Sequence, residues 1–175
     1  MKSGKGIALD FVIDKLTNSI QNTISGDSFP TDVSRLTKTD LAQTTKKNGW
    51  NFNWKEELND NTKDVYKLTI VNNPTIIQGL LSFSIRTDHI FMNLIESAPF
   101  NLGRNKLYEG VPGNLVAFAC KVSFQQGFDG FLSFTAKTKL IEQYEKSLGA
   151  YHYGNHLMII PTHIAQKLVD QYFKN

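Results

Sequence analysis

The chain contains the segment His89-Ile-Phe-Met-Asn-Leu-Ile-Glu-Ser-Ala-Pro99, an apolar run of strand length that ends at a proline. A loop with glycines follows and leads into Gly110-Val-Pro-Gly-Asn-Leu-Val-Ala-Phe-Ala119, which predicts a helix that Gly127 stops. A second apolar strand is predicted at 128–135. Because a strand, a helix and a strand follow in this order, the sequence predicts a right-handed crossover between two parallel strands.

Elements outside this unit complete the predicted architecture. Short connections between the strands before it predict antiparallel pairing. The sequence therefore predicts an α/β fold with a mixed central sheet, in which an antiparallel meander precedes a parallel β-α-β crossover and helices cover both faces. The other predicted elements are helices at 7–24, 39–47, 137–148 and from Thr162 onward, and strands at 32–37, around Trp50, Phe52 and Trp54, and at 65–71, 75–86 and 156–160.

Composition limits the class of protein. With 175 residues, 41% of them hydrophobic and 20% charged, the chain has the size of one domain and is not of the disordered, collagen-like or coiled-coil type. The formal net charge of +3 is spread over both halves, which disfavours a nucleic-acid partner. We find no run of membrane-spanning length and no secretory signal pattern, so we expect no membrane partner and a cytoplasmic location. Cys120, the only cysteine, is predicted to be a buried apolar residue rather than a catalytic thiol.

The element order and three local patterns resemble the GNAT superfamily of acyl-CoA-dependent N-acetyltransferases. The helix start at Gly110 is similar to the family's glycine-rich loop, Gln143-Tyr-Glu-Lys-Ser-Leu-Gly-Ala150 is similar to its Tyr-Glu-Lys-x-Gly-Phe segment, and a final strand holds Met158. The chain departs from the family at Leu107, where a Gln or Arg is usual, and at Pro112, which stands at the second glycine. The resemblance implies one domain over 1–175, with an acceptor-side part at 1–75, an acyl-CoA-binding core at 75–160 and a C-terminal helix at 161–175.

The resemblance implies acetyl-CoA as cosubstrate. N–H groups at a helix start form an anion site for its pyrophosphate, and glycines let the phosphate come close to the backbone. The pantetheine arm is expected to pair with the strand edge at 93–97, where a backbone N–H would stabilise the oxyanion. From the residues alone, the same pattern also fits an ordinary helix start. The expected cofactor contacts are Leu94, Ile95, Glu96, Tyr108, Gly110, Val111, Gly113, Asn114 and Lys137, with Arg104 and Lys106 as further cations.

Two side chains are expected to transfer protons. An amine must lose a proton before it attacks, and Glu96 is the expected base because it lies on the strand that would hold the thioester. Tyr144 matches the family's acid, which protonates the leaving thiolate. Each residue also has a structural alternative: Glu96 can end a strand or pair with Arg104, and Tyr144 can be a core side chain with a satisfied hydroxyl. The four histidines lack metal-ligand spacing, so no metal is expected.

The acceptor carries no recognisable signature in the sequence. The family fold implies that residues 24–50 and Tyr151-His-Tyr153 line its pocket. Charges of both signs balance there, which favours a small-molecule or peptide amine over a polycation. Pro112 and Leu107 keep a second class open, a GNAT-fold binding or interaction module without catalysis. A homodimer is one option for the assembly.

Overall fold

A computed structural model describes residues 7–17 and 19–173 of the chain. Within these residues, no helix is long and apolar enough to cross a membrane. The helices are α1 (Trp54–Asn59), α2 (Val111–Gln125), α3 (Ile141–Leu148) and α4 (Thr162–Phe173). The strands are β1 (Ile20–Asn22), β2 (Ser28–Phe29), β3 (Thr31–Arg35), β4 (Asp64–Ile70), β5 (Gly79–Ile85), β6 (Ile90–Ser97), β7 (Tyr108–Glu109), β8 (Leu132–Thr135), β9 (Tyr151–His152) and β10 (Leu157–Ile160).

The main sheet has seven strands in the order β3-β4-β5-β6-β8-β10-β9. The strands from β3 to β6 form an antiparallel meander, and α2 connects β6 to the parallel strand β8. The parallel pairing covers only Ile90 opposite Leu132 and Phe91 opposite Ser133, although β6 continues to Ser97. The predicted mixed sheet with a parallel crossover is therefore confirmed.

Helices lie on both faces of this sheet. Gly79 of β5 faces α2, because a Cβ at Gly79 would lie only 2.6 Å from Cγ1 of Val111. Leu80 points to the opposite face, since side chains alternate along a strand, and it lies opposite Glu96 in the β5–β6 pair. On that face, Trp54 at the start of α1 donates its indole N–H to Glu96. Helices on both faces were predicted, and this prediction is confirmed.

A small second sheet joins β1 to β2 and β7. Gln21 in the central strand lies opposite Ser28 on one side and Glu109 on the other. Because β7 comes directly before α2, this sheet fixes the residues that lead into the helix. Strands of two or three residues are too short to show a detectable alternation, so the sequence did not predict them.

The helix predicted at 7–24 is wrong. Residues 7–17 contain no helix, and β1 occupies part of the remainder. The apolar residues at 7, 9, 11, 12, 16, 20 and 24 fit helical spacing only approximately. Leu9, Ile13 and Thr17 are buried at intervals of four residues, so burial keeps a helical spacing although the segment is not helical. The backbone of Leu9 bonds to Thr135 and Lys137, and this tertiary pairing replaces helical hydrogen bonds. Residue 18 of that prediction, like residues 174–175 of the predicted C-terminal part, lies outside the described residues.

The strand predicted around Trp50, Phe52 and Trp54 is also wrong. Trp54 starts α1, because the Asn53 side chain caps the helix by accepting the N–H of Glu56 at 3.0 Å. Both tryptophans are buried in the core. They reach it from a non-strand segment and from a helix, so the alternation of aromatic residues here does not reflect sheet pairing.

The helix predicted at 39–47 is replaced by two short 3₁₀ turns, Thr39–Ala42 and Lys46–Asn48. The Thr45 side chain accepts the N–H of Asn48, and Gly49 follows with a positive φ of 96°. The Thr45 side chain takes a backbone N–H that an α-helix would use, and Gly49 ends the second turn, so no α-helix forms there.

Candidate active site

The strands β6 and β8 stop pairing with each other after Phe91 and Ser133. The carbonyl of Thr135, at the end of β8, accepts the N–H of Leu9 at 2.7 Å, a residue from the start of the chain. The predicted thioester-holding residues lie on the part of β6 beyond this pairing, and all of them are buried. They are Leu94, Ile95 and Glu96. The space between the two strands, here called the opening, is therefore where the predicted site residues can meet.

The start of α2 lies beside this opening. Gly110 precedes the helix with φ of 93°, a conformation that favours glycine. Its N–H donates to Oδ1 of Asp14 at 3.2 Å, so the helix start already holds an anionic group. The N–H of Asn114 makes the first helical bond, to the carbonyl of Gly110. Pro112 lies in the first turn, where a helix tolerates the missing N–H, but it leaves one donor fewer for an anion.

Residues 7–17, here called the N-terminal segment, run through the opening. Leu9 forms a parallel bridge with Ala136, and its carbonyl accepts the N–H of Lys137 at 2.9 Å. Further along the segment, Asp14 reaches the start of α2. The segment thus connects Lys137, just beyond β8, with the helix start. The resemblance implies that the helix start binds the pyrophosphate and that Lys137 adds positive charge there.

Tyr144, the predicted acid, contacts the N-terminal segment. Its hydroxyl donates to the carbonyl of Phe11, and the two rings stack with centroids 4.6 Å apart. Phe134 of β8 packs edge-on against Tyr144 at 5.3 Å. The side chain is fully buried, and this burial, with a smaller contribution from the charge of Asp10, raises the pKa of the phenol. Tyr144 therefore keeps its proton at neutral pH.

Glu96, the predicted base, has a buried carboxylate that accepts three N–H groups. Oε2 accepts from the backbone of Asn51 at 2.7 Å, while Oε1 accepts from the indole of Trp54 at 2.8 Å and the backbone of Phe52 at 3.4 Å. Arg104, considered as an ion-pair partner, is exposed. A carboxylate has about four acceptor positions, so one remains for a further partner. A cavity of about 380 Å³ borders Glu96 between β6 and the N-terminal segment.

Two lysines that were expected near the phosphates pair with aspartates of the N-terminal segment. Lys106 Nζ lies 3.1 Å from Oδ2 of Asp14, and Lys137 Nζ lies 2.8 Å from Oδ2 of Asp10. The first pair is largely shielded from water, whereas both partners of the second are nearly half exposed. Asp14 therefore receives the N–H of Gly110 and the charge of Lys106 together, which is the combination that a phosphate oxygen uses.

Val111 and Gly113, two more predicted cofactor contacts, are buried at the start of α2. A Cβ at Gly113 would collide with the hydroxyl of Tyr172. That hydroxyl accepts the N–H of Thr17 at 2.9 Å. Gly113 therefore leaves room for a tyrosine that fixes the end of the N-terminal segment.

Tyr108 and Asn114 contact residues near the small sheet instead of the opening. The ring of Tyr108 packs edge-on against Phe29 at 5.7 Å. The side-chain amide of Asn114 donates to the hydroxyl of Thr31 at 2.9 Å. The structure thus groups Gly110, Lys137 and Tyr144 around one segment and gives these two residues other neighbours.

The regions expected to line the acceptor pocket lie apart. Residues 24–50 include β3 at one edge of the main sheet, while Tyr151 and Tyr153 are exposed at the other edge, at β9. Asn51 and Phe52, just beyond the first region, are the residues that reach Glu96. Within the described residues, no three His, Cys, Asp or Glu side chains group in a way that could hold a metal ion.

A larger cavity, of about 1070 Å³, lies at the paired end of β6 and β8. Its lining includes Phe91, Phe128, Ser133 and Ile159, and none of the predicted site residues. We place the candidate site at the smaller cavity, because Glu96, Pro112 of the helix start and the N-terminal segment line it. Tyr144 does not line this cavity and contacts Phe11 of the segment instead.

The N-terminal segment is the part of the candidate site that the sequence did not predict. Phe11 and Asp14 were placed on a helix, and neither was expected to contact Tyr144 or Gly110. No local signal could have found these contacts, because Gly110 lies 96 positions from Asp14 and Tyr144 lies 133 positions from Phe11.

Comparison with known proteins identifies the fold. No protein-family model and no curated protein matches the chain. Mutant forms of the spermidine/spermine N-acetyltransferase SpeG from Vibrio cholerae match with a TM-score of 0.56 at 14% identity, over 78% of this chain and 98% of theirs. A mutant of the toxin AtaT, bound to the C-terminus of the antitoxin AtaR and to acetyl-CoA, matches with a TM-score of 0.55 at 17% identity, over 79% and 97%. The chain has the GNAT fold.

A third GNAT-fold structure agrees with this assignment. The ribosomal-protein-S18-alanine N-acetyltransferase from Escherichia coli matches with a TM-score of 0.53 at 15% identity, over 75% of this chain and 94% of its own. Identities this low show the fold alone.

The Asp14 carboxylate shows whether the start of α2 can hold an anion such as a phosphate of acetyl-CoA. The residues present fit, because Gly110 and Lys106 already bind an anionic oxygen there.

Proposed function

We propose that this chain is an acetyl-CoA-dependent N-acetyltransferase that transfers acetyl directly to an amine. One observation carries the proposal: the helix start, Tyr144 and Glu96 all lie against the N-terminal segment that runs through the opening, the first two by hydrogen bonds and Glu96 across a shared cavity. In a GNAT fold this opening lies between parallel strands, where a ligand can pair with a free strand edge.

Binding of acetyl-CoA is assigned to the start of α2 and to β6. The N–H of Gly110 and the ammonium of Lys106 would hold a phosphate oxygen, and Lys137 would add charge. Val111 and Gly113 belong to the same first turn, while Leu94 to Glu96 would offer backbone groups to the pantetheine arm. Acetyl-CoA supplies an activated acyl thioester, so the protein has to position it and move two protons.

Glu96 is assigned as the general base. The acceptor nitrogen has no free lone pair while it is an ammonium, so a carboxylate must take one of its protons before the C–N bond forms. Glu96 borders the 380 Å³ cavity, and its carboxylate still has room for one more hydrogen bond. Three N–H donors hold the carboxylate in place, so it can receive this proton directly or through a water without moving.

Tyr144 is assigned as the general acid. When the C–S bond breaks, the sulfur carries a negative charge and needs a proton. The phenol of Tyr144 is protonated before this step and can supply the proton. Burial raises its pKa and so opposes the transfer, which means that the hydroxyl has to be uncovered before it donates. The ammonium loses two protons in becoming an amide: Glu96 takes the first and passes it to water, and the second leaves the nitrogen after the C–N bond has formed. The second proton replaces the one that Tyr144 gives to the thiolate, so each turnover releases one proton to the solvent.

The acceptor is assigned by class only, as a small-molecule or peptide amine. Among the matched structures, one is of SpeG with CoA and spermine, and another is an enzyme named for the alanine of a ribosomal protein. Both names specify an amine. The balanced charge of this chain favours a peptide or a small monoamine over a polyamine.

Acetyl-CoA binding and turnover test the proposal. A ligand that binds only the folded state raises the melting temperature, so millimolar acetyl-CoA should stabilise the protein. A panel of peptides, monoamines and polyamines, scored by free-thiol release, should then identify an acceptor. The proposal fails if acetyl-CoA causes no shift even after the N-terminal segment is released as described below.

A GNAT-fold module without catalysis is the second candidate function. The occupation of the opening by the chain's own segment favours it, as does the donor that Pro112 removes from the helix start. In this case acetyl-CoA would neither bind nor be hydrolysed by any form of the protein. The thermal-shift experiment on the released form distinguishes the two functions.

A further inference from the structure

We infer that the N-terminal segment is a built-in competitor of acyl-CoA, which must leave the opening before the cosubstrate can bind. The inference rests on the proposed function and adds regulation to the same site. The segment is therefore an autoinhibitory element, and release of residues 7–17 is the step that activates the protein.

Charge carries the first part of the inference. Asp14 accepts the N–H of Gly110 at 3.2 Å and pairs with Lys106 at 3.1 Å. These are the donor and the cation assigned to the phosphate. Two anions cannot share them, because each would lose its partner and repel the other. Occupation by Asp14 and occupation by phosphate therefore exclude each other.

Backbone pairing carries the second part. Leu9 donates to Thr135 and accepts from Lys137, so the segment forms a single parallel bridge at the end of β8. An extended pantetheine arm would lie in the same space between β8 and β6. A ligand and a peptide strand cannot both fill this opening.

The proposed acid supplies the third part. The hydroxyl of Tyr144 donates to the carbonyl of Phe11, and the ring of Phe11 covers it. In this arrangement the phenol proton is directed to a backbone oxygen of the segment. Departure of Phe11 frees the hydroxyl, so one movement clears the binding groove and exposes the acid.

The attachment of the segment is suited to reversible release. Its pairing to β8 is a single bridge at Leu9, whereas β10 pairs with β8 over four residues. Ile7 and Val12 are each more than half exposed. If only a fraction f of molecules has the segment released, the apparent Kd for acyl-CoA equals the intrinsic Kd divided by f.

A reversible disulfide lock tests the inference within one protein. Leu9→Cys with Ala136→Cys places two cysteines at bridged positions, a geometry within the reach of a disulfide. Cys120 is buried, and it is the only other cysteine. Acetyl-CoA binding is measured by calorimetry on the oxidised and the reduced form. We expect at least about tenfold weaker binding when oxidised, restored by dithiothreitol, because closing the lock lowers f.

Release of the segment provides the opposite test. Asp14→Ala removes the contacts with Gly110 and Lys106, so we expect acetyl-CoA to bind more tightly than to the wild type. Asp32→Ala is the matched control, because it removes the same charge from an exposed position on β3 and should leave the Kd unchanged. In the wild type, acetyl-CoA should accelerate hydrogen exchange of the Leu9 amide, whereas a ligand that binds beside the segment would slow it.

The outcomes separate the inference from the proposed function. Equal binding by the oxidised and reduced lock, with no acceleration at Leu9, overturns the inference and leaves the enzyme assignment standing. Absence of binding in every form, including Asp14→Ala, overturns the enzyme assignment and the inference with it. Weaker binding on oxidation together with tighter binding by Asp14→Ala supports both.

Discussion

The two ends of the β6–β8 interface are built differently. At the paired end, Ile90 and Leu132 are fully buried and lie directly opposite each other in the sheet. At the other end, the strands stop pairing and a segment from the start of the chain takes the position of a neighbour, through Leu9. At the first end, β6 and β8 hydrogen-bond directly to each other. At the second end, the N-terminal segment pairs with β8, and the β6–β8 pairing does not depend on it. The contrast distinguishes the main sheet, which we expect to stay folded, from the N-terminal segment, which we expect to undock.

The largest effect is expected from truncating one buried side chain at each end. Ile90→Ala should lower the free energy of unfolding by about 2–5 kcal/mol, because it leaves a cavity in the core. Leu9→Ala removes a similarly buried side chain, but its cost is limited to the docking energy of the segment, since the sheet survives release of the segment. Urea denaturation of both variants measures the difference. Equal losses would show that the segment is as integral as β6.

A methyl group at Gly110 tests how closely the segment fits the start of α2. Gly110→Ala meets both a φ of 93° and a clash with the hydroxyl of Thr17, and we expect a loss of about 1–3 kcal/mol. Gly154→Ala is the matched control, because Gly154 has φ of 103° and open space around its Cβ position. Only Gly110→Ala should accelerate hydrogen exchange of the Leu9 amide. The same acceleration in both variants would mean that backbone strain, rather than contact with the segment, is responsible.

Alkaline pH tests the tyrosines that hold the segment. Burial raises the pKa of both Tyr144 and Tyr172, so the folded state keeps these protons at a pH where the unfolded chain has lost them. Stability is therefore complete below about pH 10, the usual tyrosine pKa, and falls as the pH rises above it. Urea midpoints measured from neutral to alkaline pH should fall less steeply for Tyr144→Phe than for wild type. Parallel curves would contradict this role of Tyr144.

At neutral pH, Tyr144→Phe should cost only about 0.5–1.5 kcal/mol, because it removes one hydrogen bond and keeps the ring stacking. Under the proposed function it should also lower kcat while acetyl-CoA still binds. A lower rate of thiol release with an unchanged Kd for acetyl-CoA would identify the Tyr144 hydroxyl as the acid. An unchanged kcat assigns Tyr144 to packing alone.

Salt should produce the smallest effect, and only at the open end. At about 1 M salt the Debye length is roughly 3 Å, so the exposed pair Asp10–Lys137 is weakened and the shielded pair Asp14–Lys106 much less. An exposed ion pair contributes about 0–1 kcal/mol, so the Leu9 amide should exchange less than about tenfold faster. The amide of Ile90, bonded to Phe131, should not respond. A uniform response at both positions would indicate global destabilisation instead.

The sequence predicted the framework because its signals are local. The apolar run before Pro99, the glycine at 110 and the stop at Gly127 each lie inside or next to the element that they define. Their order was sufficient for the parallel crossover between β6 and β8. Fold-level comparison with GNAT structures confirms this part of the prediction.

The site was less predictable because its partners are distant in sequence. Glu96 could be placed on a strand, but its three donors come from Asn51, Phe52 and Trp54, a stretch whose aromatic alternation falsely indicated a strand. Asp14 has no local feature that marks it as a partner of Gly110. Its role depends on how the sheet brings residue 110 beside residue 14, which a local pattern does not contain.

The pairing of Asp10 with Lys137 also sets an order of events in time, since 127 positions separate these residues in the chain. At about 5–20 residues per second, a ribosome needs on the order of ten seconds to progress from one to the other. Throughout that interval the start of the chain has no β8 on which to dock. In a refolding chain this contact also forms slowly, because the chain between residues 10 and 137 must lose conformational entropy before the two side chains meet. The segment is therefore made before β8 and can dock only after β8 has formed, so each newly synthesised molecule passes through a state in which the opening is not yet filled.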